Sequence, residues 1–367
     1  MLEDPAGGGV RPPLSIIWVN YNSMGVMDIV LRSLRSVLEL EYPDYEVIVV
    51  DNASSDGSFE KIRDLVRGKV GSGRPSVKLL RLRVNKGYAG GVTDGFKARD
   101  RSSKYVVAMN NDVVVLPEAL EPLVELAEQE DRVGVVNGVL LSYQNLVIID
   151  SAGGILNELL TSGSLFSGWS FNEYRIRRPY AVAFADGPLA LYNVRAVLEA
   201  NDGLEVLYDP WTIAYHDDTL ISLKLWNKGW RSMVYPRVIG LHGRSQTFKG
   251  LSLTGVYLVT RNRVAVNEIT NSRFRAVIRV LMVKRVLRYP RARLTRALKK
   301  GLKLGVLLRS SGLRLDLYRA PIALMSGREV AEVIFGSLGR VNARVQAVFE
   351  KEILKTYSWR VNHRGCL

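Results

Sequence analysis

The sequence predicts an α/β fold in which a mostly parallel sheet is flanked by helices and followed by a basic helical region. Two observations predict the sheet: short apolar runs alternate with segments of helical periodicity, and the runs end in Asp or Asn. The uneven charge distribution predicts the separate helical region. The expected parts are a flexible leader over 1–12, an α/β domain over 13–250 and a basic amphipathic helical region over 251–367.

The first apolar run, over 14–22, is typical of a parallel strand buried on both faces. Apolar residues at helical spacing over 27–40 predict the helix that follows it. The same alternation predicts three more strands and a second helix; the strands cover 46–51, 77–85 and 105–109, and the helix covers 59–66. Strands that alternate with helices predict βαβ units with right-handed crossovers.

The predicted ligand site lies beyond the carboxyl ends of these strands, as in other open α/β sheets. Five polar residues occupy those ends: Asn20, Asn22, Asp51, Asn85 and Asp112. Asp112 closes the run YVVAMNND, and oxygen ligands of this kind suit a hard cation such as Mg²⁺ or Mn²⁺ that is shared with substrate phosphates. An Asn-Asn-Asp turn that caps local backbone is the alternative interpretation.

Two further segments favour a ligand close to the backbone. After Asp51, the segment NASSDGS forms a tight turn into a helix, whose N-terminus favours an anion. In NKGYAGG, Gly87 and the two glycines after it remove side-chain bulk. An ordinary helix N-cap and an ordinary loop explain the same residues equally simply.

The composition is that of a folded globular protein, with 47% hydrophobic and 24% charged residues. The net charge is +15, but residues 251–367 carry 24 basic and 6 acidic residues, or +18, which leaves −3 for the first 250. The single cysteine, Cys366, excludes an intrachain disulfide and argues against a thiolate metal cluster.

Four motifs follow one another at the strand ends: WVNYN, VDNASSDGS, NKGYAGG and MNNDV. In this order they resemble the family 2 glycosyltransferases, particularly the rhamnosyltransferase-like members. The segment DGPLALYNVRAV and the stretch over 215–245, with its acidic helix start, Gly-Trp turn and downstream His, extend the resemblance to roughly 14–263. It implies a GT-A fold and an inverting transfer of a sugar from a nucleotide diphosphate sugar, with Mg²⁺ or Mn²⁺ as cofactor.

The resemblance also implies roles for individual residues. Asp51 matches the nucleotide-binding Asp, and Asn110 and Asp112 match the outer positions of the metal-binding acidic motif, with Asn110 in place of Asp. His242 matches an additional metal ligand. Asp218 matches the catalytic base, and geometry decides between it and Asp217.

Other residues are assigned to the two substrates. The residues expected on the donor side, beyond those already given metal or nucleotide roles, are Asn20, Asn22, Asn85, Gly87, Asn111 and Arg261. The residues expected on the acceptor side are Asp186, Gly187 and Trp230. The acceptor itself is expected to be a glycan or a lipid-linked molecule.

The basic region predicts attachment to an anionic membrane surface, because helices such as 274–287 mix apolar and cationic positions. Packing on the catalytic domain and self-association as a homo-oligomer are the alternatives. Without a secretion signal or a long apolar run, the expected location is cytoplasmic, at the inner face of the membrane. Nucleic acid is not an expected partner, because the region has no recognition motif. The competing functions are a nucleotidyltransferase, a catalytically inactive sugar-binding relative and, third, a nucleic-acid-binding protein that uses the basic region.

Overall fold

The computed structural model describes residues 11–70, 75–244, 253–288, 292–336 and 338–357. Most of the predicted leader, and the predicted boundary at residue 250, lie outside these ranges. The predicted α/β sheet is confirmed, and the four predicted strands begin within one residue of their observed starts. The strands are β1 Leu14–Asn20, β2 Tyr45–Asp51, β3 Ser76–Arg81, β4 Tyr105–Asn110, β5 Val113–Val115, β6 Val133–Ser142, β7 Asn145–Ser151, β8 Gly154–Leu156, β9 Ser162–Ser164, β10 Tyr180–Ala181, β11 Leu189–Asn193 and β12 Arg231–His242.

The main sheet has the strand order β10-β12-β6-β11-β4-β1-β2-β3. The half built from the N-terminal strands is parallel, as the alternating pattern predicts, with β4, β1, β2 and β3 side by side. Strand β11 lies antiparallel between β4 and β6, and β12 pairs in parallel with β6. Because β4, β6 and β12 therefore point the same way, the carboxyl ends of strands from both halves of the chain reach one edge.

Helices cover both faces of this sheet. Alternate residues of β1 enter different cores: Trp18 packs with α1, α2 and α4, whereas Ile17 packs with α3, α5 and α6. This alternation explains why β1 is buried along its whole length. The helices are α1 Met27–Leu38, α2 Ser58–Val66, α3 Gly87–Ala98, α4 Leu120–Gln129, α5 Val194–Ala200, α6 Asp217–Asn227, α7 Leu253–Ile269, α8 Arg275–Arg288, α9 Ala292–Ser310, α10 Gly327–Phe335 and α11 Leu338–Tyr357.

The C-terminal helices share a hydrophobic core with the middle of the chain. Phe166 and Leu156 belong to the same buried cluster as Val330 and Val341. Buried Glu158 binds Arg273 and accepts a hydrogen bond from the Met325 backbone, which ties the two parts together. Within the described ranges, none of the helices has both the length and the apolar character needed to cross a bilayer.

Candidate active site

A hydrogen-bonded network of small polar side chains occupies the ends of β1 and β2. The parallel register sets Asn20 beside Asp51, and both are fully buried. Asn20 Nδ2 donates to Asp51 Oδ1 at 3.1 Å, and Asn111 Nδ2 donates to Asn20 Oδ1 at 3.1 Å. Asp51 Oδ2 accepts from the Ser54 backbone at 3.1 Å. The strand ends expected on the donor side are therefore joined in one rigid group.

Asn22 and the glycine loop border this network. Asn22 Oδ1 accepts from the Ser55 backbone at 2.8 Å, which fixes the turn after β2. Asn85 is exposed and its Oδ1 accepts from the Gly87 backbone at 2.7 Å. Gly87 has φ +74°, and a Cβ placed there would lie 2.5 Å from Ile213, so this position requires glycine.

Asp112 and His242 meet at the same edge although 130 residues separate them. Strand β5 pairs with β12 so that His242 lies opposite Val113, the residue after Asp112. His242 Nε2 lies 3.3 Å from Asp112 Oδ1, and His242 Nδ1 lies 2.8 Å from Asp150 Oδ2. Burial lowers the pKa of His242, but the contacts with Asp112 and Asp150 outweigh it and raise the pKa to about 9.

This arrangement fits a divalent cation. The hydrogen bond from Nδ1 to Asp150 fixes the His242 ring so that Nε2 faces Asp112, which is the usual support for a metal-ligating histidine. A carboxylate oxygen is a ligand for both Mn²⁺ and Mg²⁺, whereas an imidazole nitrogen suits a transition metal such as Mn²⁺ better than Mg²⁺. No group of three or more His, Cys, Asp or Glu that could hold an ion by itself occurs in the described part of the chain. The protein would thus supply two ligands, and the substrate phosphates would supply others.

A second group of carboxylates, those of Asp186 and Asp218, adjoins the Asp112–His242 pair through hydrogen bonds of the intervening residues. The Asn110 backbone donates to Pro188 O at 2.9 Å, and the neighbouring Gly187 backbone donates to Asp218 Oδ2 at 3.2 Å. Asp186 Oδ2 accepts from the Ser151 hydroxyl at 2.6 Å, next to Asp150. The structure therefore brings Asp186 and Gly187, which are expected on the acceptor side, beside the predicted base and next to the Asp112–His242 pair.

Asp217 and Asp218 begin helix α6 and have different surroundings. Asp218 Oδ1 accepts from the Thr219 backbone at 2.6 Å, and the side chain is half-buried. Asp217 is buried, and its Oδ2 has no hydrogen-bond partner within the described residues. Burial raises the pKa of Asp217 to about 6. Burial, followed by the charges of Asp217 and Asp186, raises the pKa of Asp218 well above its ordinary value.

The loop before α6 adopts a strained conformation. Ile213, Tyr215 and His216 all have positive φ values, of 66°, 67° and 61°, which side chains with a Cβ rarely adopt. Two neighbouring residues of α7 hold this loop. Asn262 Nδ2 lies 2.9, 3.0 and 2.7 Å from the carbonyl oxygens of residues 212, 214 and 215. Arg261 Nη2 donates to the carbonyl of residue 212 at 2.8 Å.

Residues 15–199, half of the chain, match the family model described as glycosyl transferase family 2. The chain belongs to this family. Family 2 membership agrees with the convergence of the motif residues Asp51, Asn110 and Asp112 at one edge. The predicted resemblance is thereby confirmed.

The curated relatives of this family 2 protein match it over part of their length. It is 30% identical to the poly-beta-1,6-N-acetyl-D-glucosamine synthase of Staphylococcus epidermidis over 125 residues, which are 34% of this chain and 28% of that protein. It is also 30% identical over 163 residues to an uncharacterized glycosyltransferase of Nostoc sp., covering 43% and 48% of the two chains. The matched region thus spans less than half of these curated relatives.

Solved structures show the same fold at low sequence identity. The mannosyltransferase PcManGT of Pyrobaculum calidifontis, in complex with GDP-Man and Mn²⁺, aligns with a TM-score of 0.51 and 17% identity, covering 95% of this chain and 88% of that one. GalNAc-T7 with UDP, GalNAc and Mn²⁺ aligns with a TM-score of 0.56 and 16% identity, covering 83% and 57%. The predicted GT-A fold is confirmed.

Two predicted site residues of this family 2 protein occupy different places. Arg261 donates to the backbone carbonyls of residues 211 and 212 in the loop before α6. Trp230 precedes β12, whereas His242 ends it, so a strand of roughly 35–40 Å separates them. Trp230 Nε1 donates to Glu199 Oε2 at 2.8 Å at that opposite end.

Sequence reasoning missed three residues of this candidate site. Asp150 supports His242, and Asn52 holds the glycine loop by accepting from the Lys86 backbone and donating to Gly87 O, both at 2.9 Å. Tyr88 has a buried hydroxyl without a hydrogen-bond partner among the described residues, and burial raises its pKa, with further effects of the Asp217 and Asp218 charges. Asp150 ends the apolar run LVIID, so the rule that selected Asp51 could have found it.

Proposed function

We propose that this protein moves a sugar from a nucleotide diphosphate sugar to a hydroxyl group of a glycan or lipid-linked acceptor, with inversion at the anomeric carbon. The observation that carries the proposal is the convergence of the Asn20–Asp51 network, the Asp112–His242 pair and the Asp217–Asp218 pair at one sheet edge. Family 2 membership and the nucleotide-bound structures of similar fold support a nucleotide sugar as donor. Asp51 and its buried network are proposed to receive the nucleoside.

Asp218 is proposed as the general base. It would accept the proton of the acceptor hydroxyl while that oxygen forms a bond to the anomeric carbon. The bond from this carbon to the diphosphate breaks at the same time, and the diphosphate leaves with the electron pair. Asp218 is half-buried and faces Gly187, whereas Asp217 is buried more deeply, so geometry favours Asp218.

Asp112 and His242 are proposed to hold Mg²⁺ or Mn²⁺. When bound there, such a cation would neutralise charge on the diphosphate leaving group. Asp150 would keep the His242 ring in position through its contact with Nδ1. Asn110 is half-buried at the end of β4, two residues before Asp112, and its side chain is proposed to contact the diphosphate. The hydrogen bond between Asn20 and Asn111 holds the turn that connects β4 and β5.

The test is a screen of nucleotide sugars with Mn²⁺ and Mg²⁺ that measures release of nucleoside diphosphate. With the best donor, Asp218→Asn is expected to lower kcat by about 10²–10⁴-fold while donor binding is retained. Asp112→Ala is expected to weaken metal-dependent donor binding itself. Proton NMR of the product measures whether the anomeric configuration is inverted.

Asp44→Asn is the matched control, because Asp44 is exposed and precedes β2 at the opposite edge of the sheet. It should turn over at the wild-type rate. Normal turnover by Asp218→Asn, together with loss in Asp217→Asn, would transfer the base role to Asp217. Release of pyrophosphate from a nucleoside triphosphate and sugar phosphate would instead identify a nucleotidyltransferase.

A further inference from the structure

We infer that the outward sides of α8 and α9 form a docking surface for an anionic phospholipid bilayer. This inference concerns a partner and does not depend on the proposed chemistry. It rests on two neighbouring helices that each bury one side and expose another, and on the composition of the exposed sides. Neither helix contains an acidic or an aromatic residue.

Helix α9 packs closely on α7 through small residues. A Cβ on Gly301 would lie 2.5 Å from Arg261 O, and a Cβ on Gly305 would lie 2.6 Å from the Glu268 side chain. Leu294 and the small residues of this side are buried. The inward side of α9 is therefore buried against α7.

The opposite side of α9 is exposed and cationic. Over an arc of roughly 140°, at about 3.6 residues per turn, it presents five basic side chains and ends in two exposed apolar ones. Val306 and Leu307 at its C-terminal end are 55% and 64% exposed. We call this set the α9 basic face; its charged members are Arg293, Arg296, Lys299, Lys300 and Lys303.

Helix α8 adds exposed apolar surface. Val280, Val283 and Leu287 follow one another at helical spacing and are exposed, whereas Ile278 and Met282 on the other side are buried. These three residues lie on one strip of the helix. Exposing such an apolar strip to water does not stabilise a helix. A helix at a membrane interface inserts the strip between the lipid headgroups, while its cations contact lipid phosphates.

The surface suits a bilayer better than the other polyanionic or protein partners. The phosphates of a nucleic acid would bind the cations but would make no favourable contact with exposed Val and Leu. The two helices also have no aromatic ring on which a base could stack. A second copy of the chain would bring like charges together, since residues 251–367 carry +18. An anionic bilayer satisfies both the charged and the apolar side chains.

The experiment measures co-sedimentation of the full chain with vesicles of 30% phosphatidylglycerol in phosphatidylcholine and with pure phosphatidylcholine. Binding is expected only with the anionic lipid and should fall as salt rises. The triple variant Lys299→Glu, Lys300→Glu, Lys303→Glu should lose about 100-fold or more in partitioning. The double variant Val306→Ser, Leu307→Ser should lose roughly tenfold through its missing apolar contact.

The matched control reverses three exposed cations outside the surface, Lys61, Arg67 and Lys97, and should bind as wild type does. Circular dichroism and donor turnover establish that each variant is folded. Absence of binding to anionic vesicles, or equal losses in the two triple variants, would overturn the inference. So would binding to a duplex RNA that matches vesicle binding and is unaffected by the Val306 and Leu307 changes, because that result identifies a nucleic-acid surface.

Discussion

The carboxamide of Asn262 holds the loop that carries the proposed base, so Asn262→Leu should damage catalysis more than it damages the fold. Asn262 is fully buried, and its Nδ2 lies within 3.0 Å of three carbonyl oxygens of residues 212–215. Leucine has the same number and branching of side-chain heavy atoms, with bulkier methyl groups, so the substitution removes the hydrogen bonds without leaving a cavity. The loop would then keep its strained backbone conformation but lose the hydrogen bonds that stabilise that conformation.

The size of the effect follows from the contacts. An NH₂ group has two hydrogens, and each hydrogen bond contributes a net 0.5–1.5 kcal/mol or so, with roughly 1–3 kcal/mol lost when a buried partner is left unsatisfied. Removing the amide should therefore disfavour the observed loop by about 2–4 kcal/mol. Each of the three positive-φ residues costs on the order of 1–3 kcal/mol, so the loop has a strong tendency to relax. We expect kcat to fall by about 30-fold or more.

The assay follows nucleoside diphosphate release together with urea unfolding. Asn267→Leu is the matched control, because Asn267 is on the same helix, is equally buried and donates to Arg275 O at 3.3 Å rather than to the loop. It should lower stability while kcat stays within a few-fold of wild type. Unchanged kcat in Asn262→Leu, or equal losses of kcat in both variants, would refute the assigned positioning role.

Three other substitutions test the site. Asp217→Asn should stabilise the protein at pH 8, by at most about 3 kcal/mol, because the folded-state pKa of about 6 exceeds the unfolded value and the ionised group is destabilising above it. The gain, measured by thermal unfolding, should shrink as pH falls from 6 to 4; a gain that does not vary with pH would contradict the burial argument. Gly87→Ala should raise the donor KM more than tenfold, since the added Cβ meets Ile213 and φ is +74°; an unchanged KM would show that the loop does not contact the donor. Asp150→Asn should weaken Mn²⁺ binding by about 10–100-fold in calorimetric titration with nucleoside diphosphate, and unchanged affinity would exclude support of His242 by Asp150.

The parallel half of the sheet could be predicted because its information is local. Strand β1 is buried on both faces and shows a continuous apolar run that ends at a polar residue. The helix predicted over 27–40 ends at Leu38, and the helix predicted over 274–287 covers Arg275–Arg288. The insertion of β11 between β4 and β6 could not be predicted, since antiparallel pairing between distant segments leaves no periodicity of its own.

The position of a predicted site residue follows from the sequence where a strand end determines it. Asp51 and Asp112 follow buried strands, so the topology rule places them. Trp230 and Arg261 are predicted by resemblance alone. The position of Trp230 depends on which end of β12 faces the ligand edge, and that of Arg261 depends on which side of α7 faces the sheet. The support given by Asn262 was not predictable, because it depends on the backbone conformation of a loop 47–50 residues earlier in the chain.

The contacts of α7 connect the C-terminal helices to the proposed chemistry. On one side, Asn262 fixes the loop that leads into Asp217 and Asp218; on the other, Gly301 and Gly305 bring α9 against the same helix. Because α7 is packed closely on α9, added side-chain volume at Gly301 or Gly305 would displace α7 and with it the support of the loop. The α9 basic face and the loop before the proposed base Asp218 therefore both depend on the position of one helix.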